Sequence, residues 1–212
     1  MEKSHVIIGG GGHALSAAEA ALCLKLPILG YTAPESSAEL APGIPWLGTD
    51  EALGQLGRQS IRLINGLGST KNLNLRRDTY LKLRDAGYEF AQVQHPSASI
   101  SSLMTNFGQA NQILAGAIIN AKVTLGENVL INSRAVIEHG CQIGDHCHIA
   151  SGAVLCGDVV VANEVHIGAN ATIIQGIKIG SGAVIAAGAV VTQNVEPLTL
   201  IAGVPGEVKR RF

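Results

Sequence analysis

A six-residue period runs without a slip from Phe107 to Val191. The positions Phe107, Ile113, Ile119, Leu125, Ile131, Ile137, Ile143, Ile149, Leu155, Val161, Ile167, Ile173, Ile179, Ile185 and Val191 are all large and apolar. Four places after each lies a second series, from Asn111 and Ala117 to Ala189 and Val195, and Asn111 alone in it is neither small nor apolar. An amphipathic helix repeats every 3.6 residues and a half-buried strand every 2. A period of six fits neither. It fits a parallel β-helix whose unit is a hexapeptide, a short strand followed by a corner. The aliphatic fills the interior and the small residue lies beside it. Gly108, Asn120, Gly126, Asn132, Gly144, Gly168 and Gly180 stand directly after an aliphatic, where a sharp corner is expected to need them. Each turn buries its inner face only by stacking on its neighbours. An unbroken run of this length excludes chance clustering of aliphatics.

Composition agrees with a thin aliphatic column. The chain has 212 residues, 47% hydrophobic but only 3% aromatic. A formal net charge of −1 argues against an extended surface for nucleic acid or anionic membrane. No apolar run reaches the roughly 18 residues of a spanning helix, and "MEKSHVII" lacks the features of a signal peptide. The expectation is a soluble, cytoplasmic protein. None of the four cysteines forms a CxxC pair. Cys141 and Cys147 fall on inward small positions, where a thiol packs as a small hydrophobe.

Before the repeat the pattern changes. His5–Ile8 reads as a strand, Gly9, Gly10, Gly11, Gly12 and His13 follow, and Ala14–Leu24 reads as a helix. Glycines between strand and helix let a backbone approach a phosphate, and the helix N-terminus adds N–H donors. A tight turn with no ligand would need glycine on steric grounds alone. Further strands are expected at 27–31, 61–64 and 90–94, with helices over 51–56 and 70–86. The Lys and Arg side chains of the last helix are expected to form a solvated face. Alternating strands and helices predict a small parallel α/β unit. Its ligand edge, at the carboxyl ends of the strands, would carry Gly10, Gly11, Gly12, His13, Thr32, Gly66 and Ser69. His95-Pro96 marks a boundary, giving residues 1–95 as a Rossmann-like domain and 96–212 as the β-helix with a C-terminal tail.

The hexads resemble the left-handed β-helix of hexapeptide acyltransferases, in which three hexads make one triangular coil; fifteen hexads then imply about five coils. The closing "EPLTLIAGVPGEVKRRF", with its turn at Gly203–Pro205, is similar to the exit segment of that superfamily. The two halves together, and most specifically "NSRAVIEHGCQIGDHCHIASGAVLCGDV" at 132–159, resemble the sialic acid O-acetyltransferase group. Within it the chain is most similar to enzymes of the bacillosamine and perosamine pathways, which N-acetylate nucleotide-linked 4-amino-4,6-dideoxy sugars. The resemblance implies acetyl-CoA as co-substrate, no metal, and a homotrimer with active sites between subunits.

His139 is the leading catalytic candidate. It occupies a corner, so its side chain should leave the prism, and imidazole takes a proton near neutral pH. The matching family histidine is the proposed general base in a direct transfer without a covalent intermediate. Glu138 is the nearest carboxylate in sequence and would orient the ring. Many relatives carry an acid just after this histidine, where this chain has Gly140. His148 matches a histidine near the acetyl group and acceptor. His166, three hexads on, should stack on the same face and is expected to be plain surface. Gly157, 18 residues after His139, matches a glycine whose N–H meets the thioester carbonyl. Asn132 is placed to contact the acceptor sugar. Coenzyme A would run along later coils, near Ile174 and Ala187, with Lys209, Arg210 and Arg211 as candidates for its phosphates. Tyr31-Thr32-Ala33-Pro34 lacks the acids that relatives place after the second strand, so the nucleotide base stays unassigned.

Three other readings remain. Acetylation of a sugar hydroxyl, as on sialic acid, would use the same base. A zinc lyase of the γ-carbonic anhydrase type shares the prism, and His139, His146, His148 and His166 are possible ligands; it lacks a nucleotide-type N-terminal unit. A non-catalytic scaffold would show no turnover.

Overall fold

The computed structural model describes residues 3–35, 39–69 and 74–212. It divides into two compact units, Met1–Pro96 and Ser97–Phe212.

In the first unit, β1 (Ser4–Ile8) leads into α1 (Gly12–Cys23) and β2 (Ile28–Thr32). A 3-10 turn at Asp50–Ala52 continues as α2 (Leu53–Leu56), followed by β3 (Ile61–Asn65) and α3 (Leu75–Asp85). The three strands form a parallel sheet in the order β2-β1-β3. Val6, Ile7 and Ile8 are all buried, as parallel strands covered on both faces require. Helix α1 buries Ala14, Ala17, Ala18, Ala20 and Ala21, small side chains that bring its backbone close to its neighbours. The strand expected at 90–94 shrinks to a parallel bridge between Phe90 and Leu63, with Val93–Gln94 as a separate short strand.

Helix α3 starts later than expected, and residues 70–73 of the expected span lie outside the described residues. Its cations are not all on a solvated face. Arg76 is buried, and its Nη1 donates to the carbonyls of Asn65 and Leu67 at 2.8 and 2.9 Å. The Asn65 amide returns a bond to the Arg76 carbonyl. The end of β3 leaves carbonyls that no strand pairs, and a buried guanidinium satisfies them. Burial pushes the Arg76 pKa down to about 9.

The second unit is the expected prism. Two-residue strands stack into three parallel sheets, one per face. The first face contains Gln112–Ile113, Leu130–Ile131, His148–Ile149, His166–Ile167 and Val184–Ile185, continued by Thr199–Ala202. The second contains Ser99–Ile100, Ile118–Ile119, Val136–Ile137, Val154–Leu155, Thr172–Ile173 and Val190–Val191. The third contains Asn106–Phe107, Thr124–Leu125, Gln142–Ile143, Val160–Val161 and Lys178–Ile179. The column has about six turns rather than five. Ile100 stands seven residues before Phe107, so one extra residue hides it from a count in sixes, yet it packs against the core. Beyond Val191 the spacing contracts: Val195 bridges to Ile179, and Ile201 pairs with Ile185.

The two residue series expected inside are inside, packed as one column. Asn111, the polar exception, is fully buried and fully used. Its amide donates to the carbonyls of Gly108 and Gly126 at 3.0 and 2.9 Å, and its Oδ1 accepts from the Val129 N–H at 2.8 Å. Cys141 and Cys147 are buried as expected, and burial raises their thiols to about 11 and 12.

The corners work differently from the expectation. From the Phe107 hexad to the Ile185 hexad the left-handed residue stands three places after the aliphatic. It is Ala110, Lys122, Asn128, Arg134, His146, Asp158, Glu164 or Asn170 as well as glycine. The glycines directly after the aliphatic answer to space instead. A Cβ at Gly168 would lie 2.5 Å from the Ala187 nitrogen of the next turn.

Candidate active site

One corner of the prism, between the second and third faces, carries Asn120, Glu138, His139, Gly157 and Ile174 on successive turns. His139 is exposed there, as its place in the hexad predicts. Its imidazole lies directly on Gly157: a Cβ added to Gly157 would stand 2.6 Å from Cε1 and 2.8 Å from Nε2. The neighbouring Asp158 N–H donates to the His139 carbonyl at 2.9 Å. The Asp158 carboxylate leans over Gly140, which takes the left-handed corner conformation at φ +73°. Among the described residues the His139 ring makes no hydrogen bond within the chain. The Gly157 N–H also donates to nothing there, so its donor remains available.

Glu138 is engaged elsewhere than the sequence suggested. Its Oε2 accepts from Asn120 Nδ2 at 2.7 Å, one turn earlier. Asn120 escaped notice as a site residue, although the 18-residue spacing that links His139 to Gly157 also links it to Glu138.

The first face carries His148 and His166, stacked in register as expected. Their ring centroids are 4.8 Å apart and the planes meet at 84°. Asn132, on the corner between the first and second faces, points its amide at His148. Its Oδ1 accepts from the Ser133 N–H at 2.8 Å, which leaves Nδ2 to donate to His148 Nε2 at 3.2 Å. Nε2 therefore holds a lone pair and Nδ1 the proton. His166 is not plain surface. Its Nδ1 is buried without a partner among the described residues, and burial lowers its pKa below the usual 6.5. Ala187 shares the corner of Asn132, whereas Ile174 shares that of His139.

In a triangular section, the corner of His139 is opposite the face of His148. The two histidines of one chain therefore point to opposite sides of the prism. Both of the corners that carry candidates border the second face. That face presents Ile118, Val136, Val154, Thr172 and Val190 outward, whereas the third presents Asn106, Thr124, Gln142, Val160 and Lys178.

In the first unit the glycine cluster divides by cause. Gly9 has φ +101° and lies against Leu67, and a Cβ at Gly10 would meet the Tyr31 ring at 2.8 Å. Gly66 is closed in by Ile8 and Ile7 at 2.7 and 2.8 Å. These three are glycine because the fold leaves no room. Among the described residues nothing lies within 4 Å of a Cβ added at Gly11 or Gly12. Gly11 caps α1 with φ −90° and ψ −173°, which other residues adopt freely. Packing among the described residues does not explain them. His13 is half-buried in the first turn of α1, and Ser69 is buried. Thr32 is buried too, its hydroxyl donating to Asp50 Oδ1 at 2.6 Å. Asp50, from the turn before α2, thus sets a carboxylate beside the end of β2. Asp50 lines a cavity of about 310 Å³ with Pro34, Thr49, Glu51 and Lys82.

His139, His146, His148 and His166 do not form a metal-type cluster within the chain; His146 Nδ1 lies 3.1 Å from Asn128 Nδ2. In the tail, Lys209 pairs with Glu207 at 3.0 Å, and the Arg210 guanidinium lies over the Phe212 ring.

The bacterial transferase hexapeptide family (six repeats) matches residues 122–157 and 158–193. Perosamine N-acetyltransferase from Caulobacter crescentus, solved with CoA and GDP-perosamine, superposes with a TM-score of 0.91 at 32% identity, over 99% of this chain and 98% of that one. The chain belongs to the hexapeptide-repeat acetyltransferases. The acetyltransferase domain of PglB from Neisseria gonorrhoeae, solved with acetyl coenzyme A, superposes with a TM-score of 0.91 at 27% identity, over 98% of this acetyltransferase and 100% of that domain. WeeI from Acinetobacter baumannii shares the fold, with a TM-score of 0.82 at 20% identity over 97% and 99% of the two chains.

Proposed function

We propose that this acetyltransferase transfers the acetyl group of acetyl-CoA directly to the 4-amino group of a nucleotide-linked 4-amino-4,6-dideoxy sugar, with His139 as general base. The ligands of the Caulobacter and Neisseria relatives support the substrate pair. The observation that carries the mechanism is the exposed imidazole of His139 seated on Gly157, whose N–H has no partner among the described residues. The acceptor nitrogen needs its lone pair for the thioester carbonyl, so a proton must leave it. His139 takes that proton as the N–C bond forms, the Gly157 N–H stabilises charge on the carbonyl oxygen, and the sulfur leaves with the coenzyme. Asn120 holds the Glu138 carboxylate beside this corner. The space that the described residues leave open at Gly11 and Gly12, where α1 begins, suits a diphosphate.

We further place the reaction between chains. His139 and His148 face opposite sides of one prism, and the corners of His139 and Asn132 both border the aliphatic second face. A threefold, head-to-tail packing on that face would set the His139 corner of one chain beside the Asn132 corner of the next. Ile174 and Ala187, one on each corner, would then line one groove for coenzyme A. A cytoplasmic location fits four free cysteines.

Thiol release from acetyl-CoA, measured against UDP-, GDP- and dTDP-linked 4-amino-4,6-dideoxy sugars with sialic acid beside them, tests the reading. Turnover with an amino sugar is expected. Turnover with a hydroxyl acceptor alone would move the chain to O-acetylation, and none with any amino sugar would overturn the acceptor class.

A further inference from the structure

We propose that Glu19, Cys23 and His95 form a zinc-binding site in the first unit, separate from the acetyl-transfer residues. Glu19 and Cys23 stand four apart on α1, so they share one face of the helix. His95 comes from the segment after Val93–Gln94, where Pro96 restricts the backbone of the residue before it. Glu19 Oε1 lies 3.4 Å from Cys23 Sγ and 3.1 Å from His95 Nε2, and the three donor atoms lie within 4.8 Å of one another. A tetrahedral zinc with bonds of 2.0–2.3 Å sets its ligands about 3.3–3.7 Å apart. The cluster thus needs only small side-chain movements to close on an ion. No other set of three such donors meets this distance among the described residues.

Two features favour a metal over a simple ion pair. The His95 side chain is only 11% exposed, so its Nε2 is held facing the cluster. Thiolate, imidazole and carboxylate together form a set that suits zinc rather than magnesium or calcium, and three protein ligands leave a fourth position for water. Binding releases the Cys23 proton to solvent. The bound ion would clip α1 to the chain just before Pro96.

The test uses the full chain, reduced and metal-free, titrated with Zn²⁺ against a chromophoric chelator and separately with Co²⁺. One ion per chain with micromolar or tighter affinity is expected, together with a near-ultraviolet thiolate-to-Co²⁺ charge-transfer band. Cys23→Ser should remove the band and weaken Zn²⁺ at least about tenfold, and His95→Ala should weaken it comparably. Both variants would first be checked by circular dichroism. Absence of the band in the wild type, or Zn²⁺ affinity unchanged in either variant, overturns the site. Neither readout depends on acetyl transfer, so this inference and the proposed function stand or fall separately.

Discussion

At residue 157 the absence of a side chain is what seats the His139 ring. The His139 ring occupies the space where any other side chain would begin. This separates the two duties proposed for Gly157, seating the proposed base and offering an N–H, because alanine keeps the second and abolishes the first. His139→Ala is expected to lower turnover by about 100-fold or more. Gly157→Ala should lower it about tenfold or more through the displaced ring alone, with circular dichroism unchanged in both. Steady-state kinetics on the identified acceptor checks this, and a fully active Gly157→Ala enzyme would show that the ring contact does not matter. Glu138 illustrates the limit of reading neighbours along the chain: adjacent to His139 in sequence, it bonds to Asn120, which is adjacent only through the stacking of turns.

At the scale of elements, the start of α1 separates glycines that packing requires from glycines that the described residues leave open. Gly9 and Gly10 are filled in by the fold; Gly11 and Gly12 are not. Gly11→Val should therefore fold normally, yet weaken the acceptor nucleotide sugar about tenfold or more and leave acetyl-CoA affinity alone, as isothermal titration of each ligand would reveal. Equal loss of both would indicate damage to the fold instead. The β-helix was legible because each inward position repeats the same demand every six residues. Its ends were not, since one extra residue before Phe107 and two missing after Val191 break the count while geometry still brings Ile100 and Ile201 to the column. The corner rule is hidden for a similar reason. Glycine concentrates where the backbone of the next turn is close, whereas the left-handed position tolerates lysine, arginine and aspartate. Arg76 and Asp50 were illegible because their partners, the carbonyls after β3 and the Thr32 hydroxyl, come from distant segments.

At the scale of the molecule, the second face is the one to perturb. A carboxylate placed at Val154, half-buried in the middle of the aliphatic stripe, would meet apolar surface in any packing of copies on that face. Val154→Glu is expected to convert the proposed trimer to monomers and to abolish turnover although His139 is untouched; sedimentation with parallel assay decides, and an active monomer would place the whole site in one chain. The same geometry limits how such a chain can change length. Each turn consumes about eighteen residues and returns to the face it left. A gain of eighteen residues beyond Val161 would add a turn and leave the direction of every side chain as it was. A gain of six between His139 and His148 would rotate His148, His166 and everything after them by one face of the triangle. Chain length is therefore read in whole turns, and smaller insertions are tolerated only where they bulge from a corner.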